Sequence, residues 1–141
     1  MGGITTYALF NHYPEITAAA SLMGNADPAR FAKWTISSVW MTGATQEQCA
    51  ELEAEIEKNK AFLDAMALAK HPEHINNRPL FLWHGTADDK VPYELNKEFF
   101  ETIKNEAYAK NVEWHETPGE GHRVPHQVFE DVADFFQRVF Q

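Results

Sequence analysis

Hydrophobic positions along the chain predict three short strands with helices between and around them. Two continuous apolar runs, 16–23 and 80–83, end at turn residues, a pattern typical of buried parallel strands. Residues 112–117 alternate between apolar and polar side chains and predict a third strand. Apolar residues spaced three and four apart predict helices over 2–13, 27–41, 45–66, 92–108 and 124–140.

Capping residues support two of these helix starts. Asp27 before Pro28 suits an N-cap followed by proline at the first helical position. Thr45 stands three residues before Gln48, as in a capping box. Residues 71–79 are predicted to be a loop. Because helices alternate with strands, we expect an α/β fold with a parallel sheet and right-handed crossovers.

Composition narrows the class of protein. With 44% hydrophobic and 23% charged residues over 141 positions, the chain suits one folded domain and not a disordered segment. Its formal net charge of −9 would repel phosphate backbones, so we expect no nucleic-acid partner. No apolar run approaches the roughly 18 residues of a membrane span. We therefore expect a soluble, cytoplasmic domain that does not bind membranes.

Cysteine and histidine content argues against a metal site. The single Cys49 excludes an internal disulfide and a multi-cysteine zinc site. His71 and His74 have a spacing that could hold a metal on a helix, but Pro72 favours a loop there, and two histidines alone bind zinc weakly. We expect no metal.

An aspartate and a histidine follow the second and third predicted strands. Asp88 lies in the segment 85–92, with Asp89 as an alternative acid, and His122 lies in the loop that begins at Pro118. In α/β folds ligands gather at the carboxyl ends of strands, so both side chains should lie at one edge of the sheet. There an aspartate can accept the Nδ1 proton of a histidine, which is then free to act as a general base. His84 is expected to hydrogen-bond the backbone near the strand end.

The chain contains only part of a serine nucleophile motif. Such an elbow reads Gly-x-Ser-x-Gly at a strand-to-helix turn, and Met1-Gly2 matches only its last two positions. The serine is expected to precede residue 1. Ser21 lacks glycines at the elbow spacing and is expected to be a core residue.

Three motifs in this order carry a family resemblance: MGG at 1–3, HGTADDKVP at 84–92 and GEGH at 119–122. With them the sequence resembles the C-terminal half of an α/β-hydrolase. It is similar to bacterial carboxylesterases related to dienelactone hydrolases and to the catalytic domains of prolyl-oligopeptidase-type serine peptidases. The resemblance implies that Asp88 is the triad acid, that His122 is the base, and that Met1 takes the position of an oxyanion donor. It also implies no cofactor.

The resemblance further implies one partial hydrolase domain over 1–141, with about three parallel strands and a helical lid-like insertion at 27–71. The side chains expected to line an acyl pocket are Trp34, Val39, Trp40, Met41 and Met66. The alternative for the insertion is a plain buried helix pair.

The function expected from these features is that of a serine hydrolase fragment. It would carry the acid and base of a Ser-His-Asp triad, lack the serine, and be inactive alone, while the intact parent would take a small ester or acyl substrate. The alternatives are a fragment of a prolyl-oligopeptidase-type peptidase and a non-catalytic interaction module. Without a neighbouring strand, residues 16–23 would form an exposed edge, so we expect self-association there or coverage by the helix at 2–13.

Overall fold

A three-stranded parallel sheet organises the chain, which the computed structural model describes over residues 1–141. The strands are β1 (Ala19–Leu22), β2 (Leu80–Gly85) and β3 (Val112–Thr117), side by side in that order. Ser21 of β1 is in register with Leu82 of β2, which faces Trp114 of β3. The prediction of three parallel strands in an α/β fold is confirmed.

Six α-helices flank the sheet: α1 (Gly2–His12), α2 (Pro28–Ile36), α3 (Gln46–Lys58), α4 (Lys60–Met66), α5 (Tyr93–Ile103) and α6 (His126–Phe140). Short 3₁₀ turns cover Val39–Met41, Leu68–Lys70, Pro72–Ile75 and Ala107–Ala109. No helix is long and apolar enough to cross a lipid bilayer.

The predicted helix starts are confirmed to within two residues, but the helices predicted over 27–41 and 92–108 end earlier, at Ile36 and Ile103. The Asp27 side chain accepts from the Arg30 N–H, and Thr45 and Gln48 form the capping box. The helix predicted over 45–66 is divided at Asn59, which ends α3 and begins α4. Its side-chain amide donates to the Glu55 carbonyl, a local bond that competes with the helical backbone pattern. Residues 71–79 are not all loop, because a 3₁₀ turn occupies Pro72–Ile75.

Strand β2 is buried along its whole length because both faces of the sheet are covered. On one face Leu80 and Leu82 join a core that includes Tyr7 and Phe10 of α1 and Ile103 of α5. On the other face Phe81 and Trp83 pack against Val128 and Phe135 of α6. A strand that is buried on both faces has a continuous run of apolar residues, as the sequence shows at 80–83.

Strand β1 lies at one edge of the sheet and pairs only with β2. Helix α1 packs on β1 through Tyr7 and Phe10, which belong to the core on one sheet face. Its first turn approaches the end of β1 closely, because a Cβ on Gly3 would lie 2.5 Å from the Leu22 carbonyl oxygen. Glycine is therefore required at that position.

Candidate active site

His122 and Asp88 meet at the carboxyl edge of the sheet. The Nδ1 atom of His122 lies 2.8 Å from Oδ2 of Asp88 and 3.1 Å from Oδ1. The Asp88 side chain is fully buried, whereas that of His122 is 32% exposed. This geometry lets the carboxylate accept the Nδ1 proton and leaves Nε2 of His122 free to act as a base.

Backbone hydrogen bonds join the two loops that carry these residues. The Ala87 N–H donates to the Glu120 carbonyl (2.9 Å), and the Gly119 N–H donates to Oγ1 of Thr86 (2.8 Å). The Thr86 N–H also donates to the Thr117 carbonyl at the end of β3. The loops after β2 and β3 are thus held together as one unit, which brings Asp88 to His122.

The carboxyl group of Asp88 is buried but well supplied with donors. Its Oδ1 accepts the N–H groups of Lys90 (2.9 Å) and Val91 (3.0 Å), and its Oδ2 lies 3.2 Å from Nε2 of His84. Burial alone would raise the pKa of Asp88, but the bonds from His84, from the Val91 N–H, from His122 and from the Lys90 N–H outweigh it and hold that pKa well below its ordinary value. Asp88 is therefore ionised at neutral pH. The alternative acid, Asp89, is exposed and pairs with Lys90.

His122 faces a groove of about 350 Å³ beside the edge strand. The other walls are the start of α1 and the end of β1, represented by Met1, Gly3, Thr6 and Leu22. Met1 is 91% exposed. The position expected for an oxyanion donor therefore borders the same groove as the base.

No serine hydroxyl of the chain reaches His122. Ser21 is fully buried and donates to the Gly3 carbonyl. Ser37 and Ser38 donate to backbone carbonyls at the end of α2. The structure thus brings together the predicted acid and base, and it places the three serines elsewhere.

Comparison with known proteins assigns the family. A model of the prolyl oligopeptidase family, the S9 peptidases, matches residues 1–141. The chain belongs to the prolyl oligopeptidase family. Members of this family are serine hydrolases with an α/β-hydrolase fold, as the motifs at 84–92 and 119–122 suggested.

Two bacterial relatives are longer than this chain. The chain is 31% identical over 143 residues to the protein YitV of Bacillus subtilis (strain 168), covering 97% of this chain and 53% of YitV. It is 25% identical over 138 residues to Esterase YjfP of Escherichia coli (strain K12), with 98% and 53% covered. The chain therefore spans about half the length of these relatives.

Solved structures share the fold at low identity. TT1662 from Thermus thermophilus superposes with a TM-score of 0.67 at 13% identity, covering 99% of this chain and 51% of that one. Acyl-protein thioesterase 2 from Zea mays gives a TM-score of 0.60 at 19% identity, with 100% and 53% covered. These likenesses establish the fold alone.

The side chains predicted to form an acyl pocket lie on α2, on the 3₁₀ turn Val39–Met41 and on α4. The Trp40 indole N–H donates to the Lys90 carbonyl (2.7 Å), beside the loop that carries Asp88. Trp34 stacks on Phe31, and Val39 and Met41 flank Trp40 in the 3₁₀ turn. Met66 lines a different groove, between α1 and α4, whose lining includes none of the other four. The acyl-pocket assignment stays a prediction.

One cluster has the composition of a metal-ligand set. The ligand atoms of His71, Glu73 and His74 lie within 4.8 Å of one another near the 3₁₀ turn Pro72–Ile75. Nδ1 of His74 lies 2.9 Å from Oδ1 of Asn11. These residues could hold a divalent ion, although Glu73 and His74 are exposed. The absence of a metal stays a prediction.

The sequence analysis missed most of a buried polar group behind Asp88. His84 bonds the Val91 carbonyl, as expected for a histidine near the strand end, but its ring also contacts Asp88 and Asn96. Asn96 in turn accepts from the Tyr7 hydroxyl. The only signal in the sequence was a histidine inside a run of buried apolar residues.

Proposed function

We propose that this chain supplies the acid and base of a carboxylesterase-like serine hydrolase. Asp88 orients His122 and stabilises its cation, and Nε2 of His122 activates a serine that lies outside these 141 residues. The observation that carries the proposal is the bond between His122 and the buried Asp88 carboxylate, at the wall of a groove, in a member of a serine hydrolase family.

The reaction is acyl transfer through a covalent intermediate. Nε2 of His122 removes the proton of the serine hydroxyl as its oxygen attacks the ester carbonyl, and the same proton goes to the departing alcohol. Water then enters, and His122 repeats the two transfers to release the carboxylic acid. Asp88, ionised and buried, compensates the charge on the imidazolium in both steps.

The groove beside β1 would accommodate the serine nucleophile. It adjoins the free side of His122, and the start of α1 forms its opposite wall. A nucleophile elbow passes directly into a helix, so a serine two residues before Gly2 would enter the groove from there. The backbone N–H of Met1, once part of a peptide bond, would be one oxyanion donor. Loss of one such donor costs about 3–4 kcal/mol of barrier lowering, so the chain alone is expected to be inactive.

Ester hydrolysis is favoured over peptide hydrolysis because a relative that matches nearly the whole chain is named as an esterase. Esterase YjfP is 25% identical in a match that covers 98% of this chain. The peptidase likeness is one of fold: a dipeptidyl aminopeptidase IV structure from Bacteroides ovatus gives a TM-score of 0.68 at 18% identity, and the chain covers only 18% of it. A peptidase is the second candidate, since the family model itself is that of prolyl oligopeptidases.

The test compares the chain with a chimera. The 141 residues alone should hydrolyse p-nitrophenyl acetate no faster than the same chain with His122→Ala. A chimera that joins the part of YjfP preceding its matched region to this chain should hydrolyse the ester. That activity should be lost in His122→Ala and kept in His126→Ala, which removes an exposed histidine at the start of α6.

Three outcomes would contradict the proposal. Turnover by the chain alone that falls in Thr6→Val would make Thr6, the only hydroxyl residue lining the groove, the nucleophile. Hydrolysis by the chimera that persists in His122→Ala would exclude His122 as the base. A folded chimera that hydrolyses neither p-nitrophenyl acetate nor a dipeptide p-nitroanilide would favour the non-catalytic interaction module.

A further inference from the structure

A continuous series of buried side chains runs from Asp88 into the core. Asp88 contacts His84, His84 contacts Asn96, and Asn96 contacts Tyr7. His84 and Asn96 are 0% exposed and Tyr7 is 1% exposed. Water therefore does not compete for these bonds, and each polar atom depends on its neighbour.

The direction of each hydrogen bond follows from the backbone. Nε2 of His84 lies 3.0 Å from the Val91 carbonyl oxygen, which can only accept, so Nε2 carries the proton. The same N–H reaches Oδ2 of Asp88 at 3.2 Å. Nδ1 of His84 is then the acceptor, and it takes the amide N–H of Asn96 at 3.0 Å.

The remaining oxygen of the Asn96 amide accepts the Tyr7 hydroxyl at 2.7 Å. Burial raises the pKa of Tyr7 far above its usual range, which keeps this hydroxyl protonated as a donor. Every atom in the series therefore has a partner with a consistent direction. A fully satisfied buried network of this kind fixes the orientation of its members.

We propose that His84 is a positioning residue for the Asp88–His122 pair, and that Asn96 and Tyr7 hold His84 so that the carboxylate is tied to helix α1. Tyr7 belongs to α1, whose first residues form the wall of the groove opposite His122. The series thus connects the two walls of the groove through the core. It would therefore hold the distance between the base, His122, and a nucleophile at the start of α1. The positioning role rests on the proposed function, whereas the hydrogen bonds of the series do not depend on hydrolytic activity.

The test reads the His122–Asp88 bond directly, by nuclear magnetic resonance of the 141-residue chain labelled with ¹⁵N at histidine. Exchange of the His122 Nδ1 proton with water should accelerate at least tenfold in His84→Phe and about threefold in Tyr7→Phe. His84→Gln, which keeps an N–H near Asp88, should restore slow exchange. Tyr93→Phe is the matched control, since the Tyr93 ring also touches His84 but its hydroxyl donates to Glu116; exchange should not change.

Unchanged exchange in folded His84→Phe would overturn the proposal. If that variant does not fold, the ¹⁵N spectrum of the unaltered chain still decides: a proton on Nδ1 of His84 instead of Nε2, or no slowly exchanging proton on His122, would also overturn it. Absence of esterase activity in the chimera would contradict the proposed function while leaving these signals, and hence the positioning role, intact.

Discussion

Gly85 lies so close to Glu120 that a Cβ at position 85 would stand 2.4 Å from the Glu120 carbonyl oxygen. Gly85 is the last residue of β2, and Glu120 lies in the loop that leads to His122. The absence of a side chain at 85 therefore lets the loop after β3 lie directly on the end of β2. Together with the hydrogen bonds between the loops, this close approach lets Asp88 and His122 meet, and it explains why a glycine follows His84 in the motif.

Gly85→Ala is expected to push the two loops apart. Because the obstructing atoms are backbone, they cannot rotate away, and such overpacking costs about 1–3 kcal/mol in the free energy of unfolding. Urea denaturation should measure that loss, and the His122 Nδ1 proton should exchange faster. Gly2→Ala is the control, because nothing lies within 4 Å of a Cβ there. Equal free energies of unfolding for the two variants would show that the loops can accommodate a methyl group at position 85.

Asp88→Asn is expected to destabilise the fold in a pH-dependent way. The folded pKa of Asp88 lies below its ordinary value of 3.8, so the stability that ionised Asp88 contributes is fully present above pH 4 and is lost as the pH falls further. At pH 7 the free energy of unfolding of the variant should be about 2–3 kcal/mol lower than that of the unaltered chain. The difference should shrink between pH 4 and pH 2.

Urea denaturation at pH 7, 5, 4 and 3 measures that difference. Asp89→Asn is the control, because the Asp89 side chain is 62% exposed and bonds only Lys90. It should change the unfolding free energy little at any of these pH values. A constant deficit for Asp88→Asn down to pH 3 would contradict the low pKa of Asp88.

The strands and the acid–base pair were predictable from sequence because they depend on local patterns. A short apolar run bounded by turns identifies β2, the central strand. The carboxyl ends of neighbouring parallel strands meet at one edge, so Asp88 and His122 could be placed together before any contact was known. The segment 27–71 was recognisable as largely helical because its apolar residues recur three and four apart; its role as a lid stays a prediction.

The features that escaped prediction depend on distant pairs or on local competition. Tyr7 and Asn96 are 89 residues apart in sequence, and nothing in either neighbourhood indicates the other. The interruption at Asn59 is invisible to periodicity, since the apolar spacing continues from Ile56 to Leu63 on both sides of it. At that boundary the side-chain amide of Asn59 shares the Glu55 carbonyl with the Asn59 backbone N–H, a local competition that the apolar spacing does not indicate.

Trp40→Phe is expected to loosen the 3₁₀ turn Val39–Met41. The indole N–H donates to the Lys90 carbonyl and anchors the turn to the loop of Asp88. Removing one such bond lowers the free energy of local opening by about 1 kcal/mol. Amide hydrogen exchange in the turn should therefore be roughly fivefold faster. Trp34→Phe is the matched control, because the Trp34 indole N–H bonds no group in the chain and its ring stacks on Phe31. Similar exchange at residues 39–41 in both variants would show that the anchor is unimportant.

Arg78→Lys is expected to cost stability at the start of the sheet. The guanidinium of Arg78 donates to five backbone carbonyls, at the end of α1, before β1 and in the turn Pro72–Ile75, and it lies 3.9 Å over the Phe10 ring. A lysine ammonium has three donors and no planar fork, so it cannot replace this set. The unfolding free energy should fall by about 2–4 kcal/mol.

Thermal and urea denaturation measure the loss for Arg78→Lys. Arg138→Lys is the control, because its side chain is 58% exposed and pairs with one carboxylate, Glu113. That change should lie within about 0.5 kcal/mol of the unaltered chain. A loss of the same size in both variants would mean that the carbonyl contacts of Arg78 contribute nothing specific.

We propose, finally, that the chain alone self-associates along β1. This strand has no partner on its outer side, and unpaired strand edges invite pairing with another copy. Light scattering should show a mass that rises with concentration toward that of a dimer. Ala20→Lys places a charge on the edge strand and should lower the dimer fraction at least fivefold, whereas Ala61→Lys, exposed on α4, should leave it unchanged. In the chimera the added half would occupy the same edge, so dimer formation there should disappear; a dimer that persists in the chimera would place the contact elsewhere.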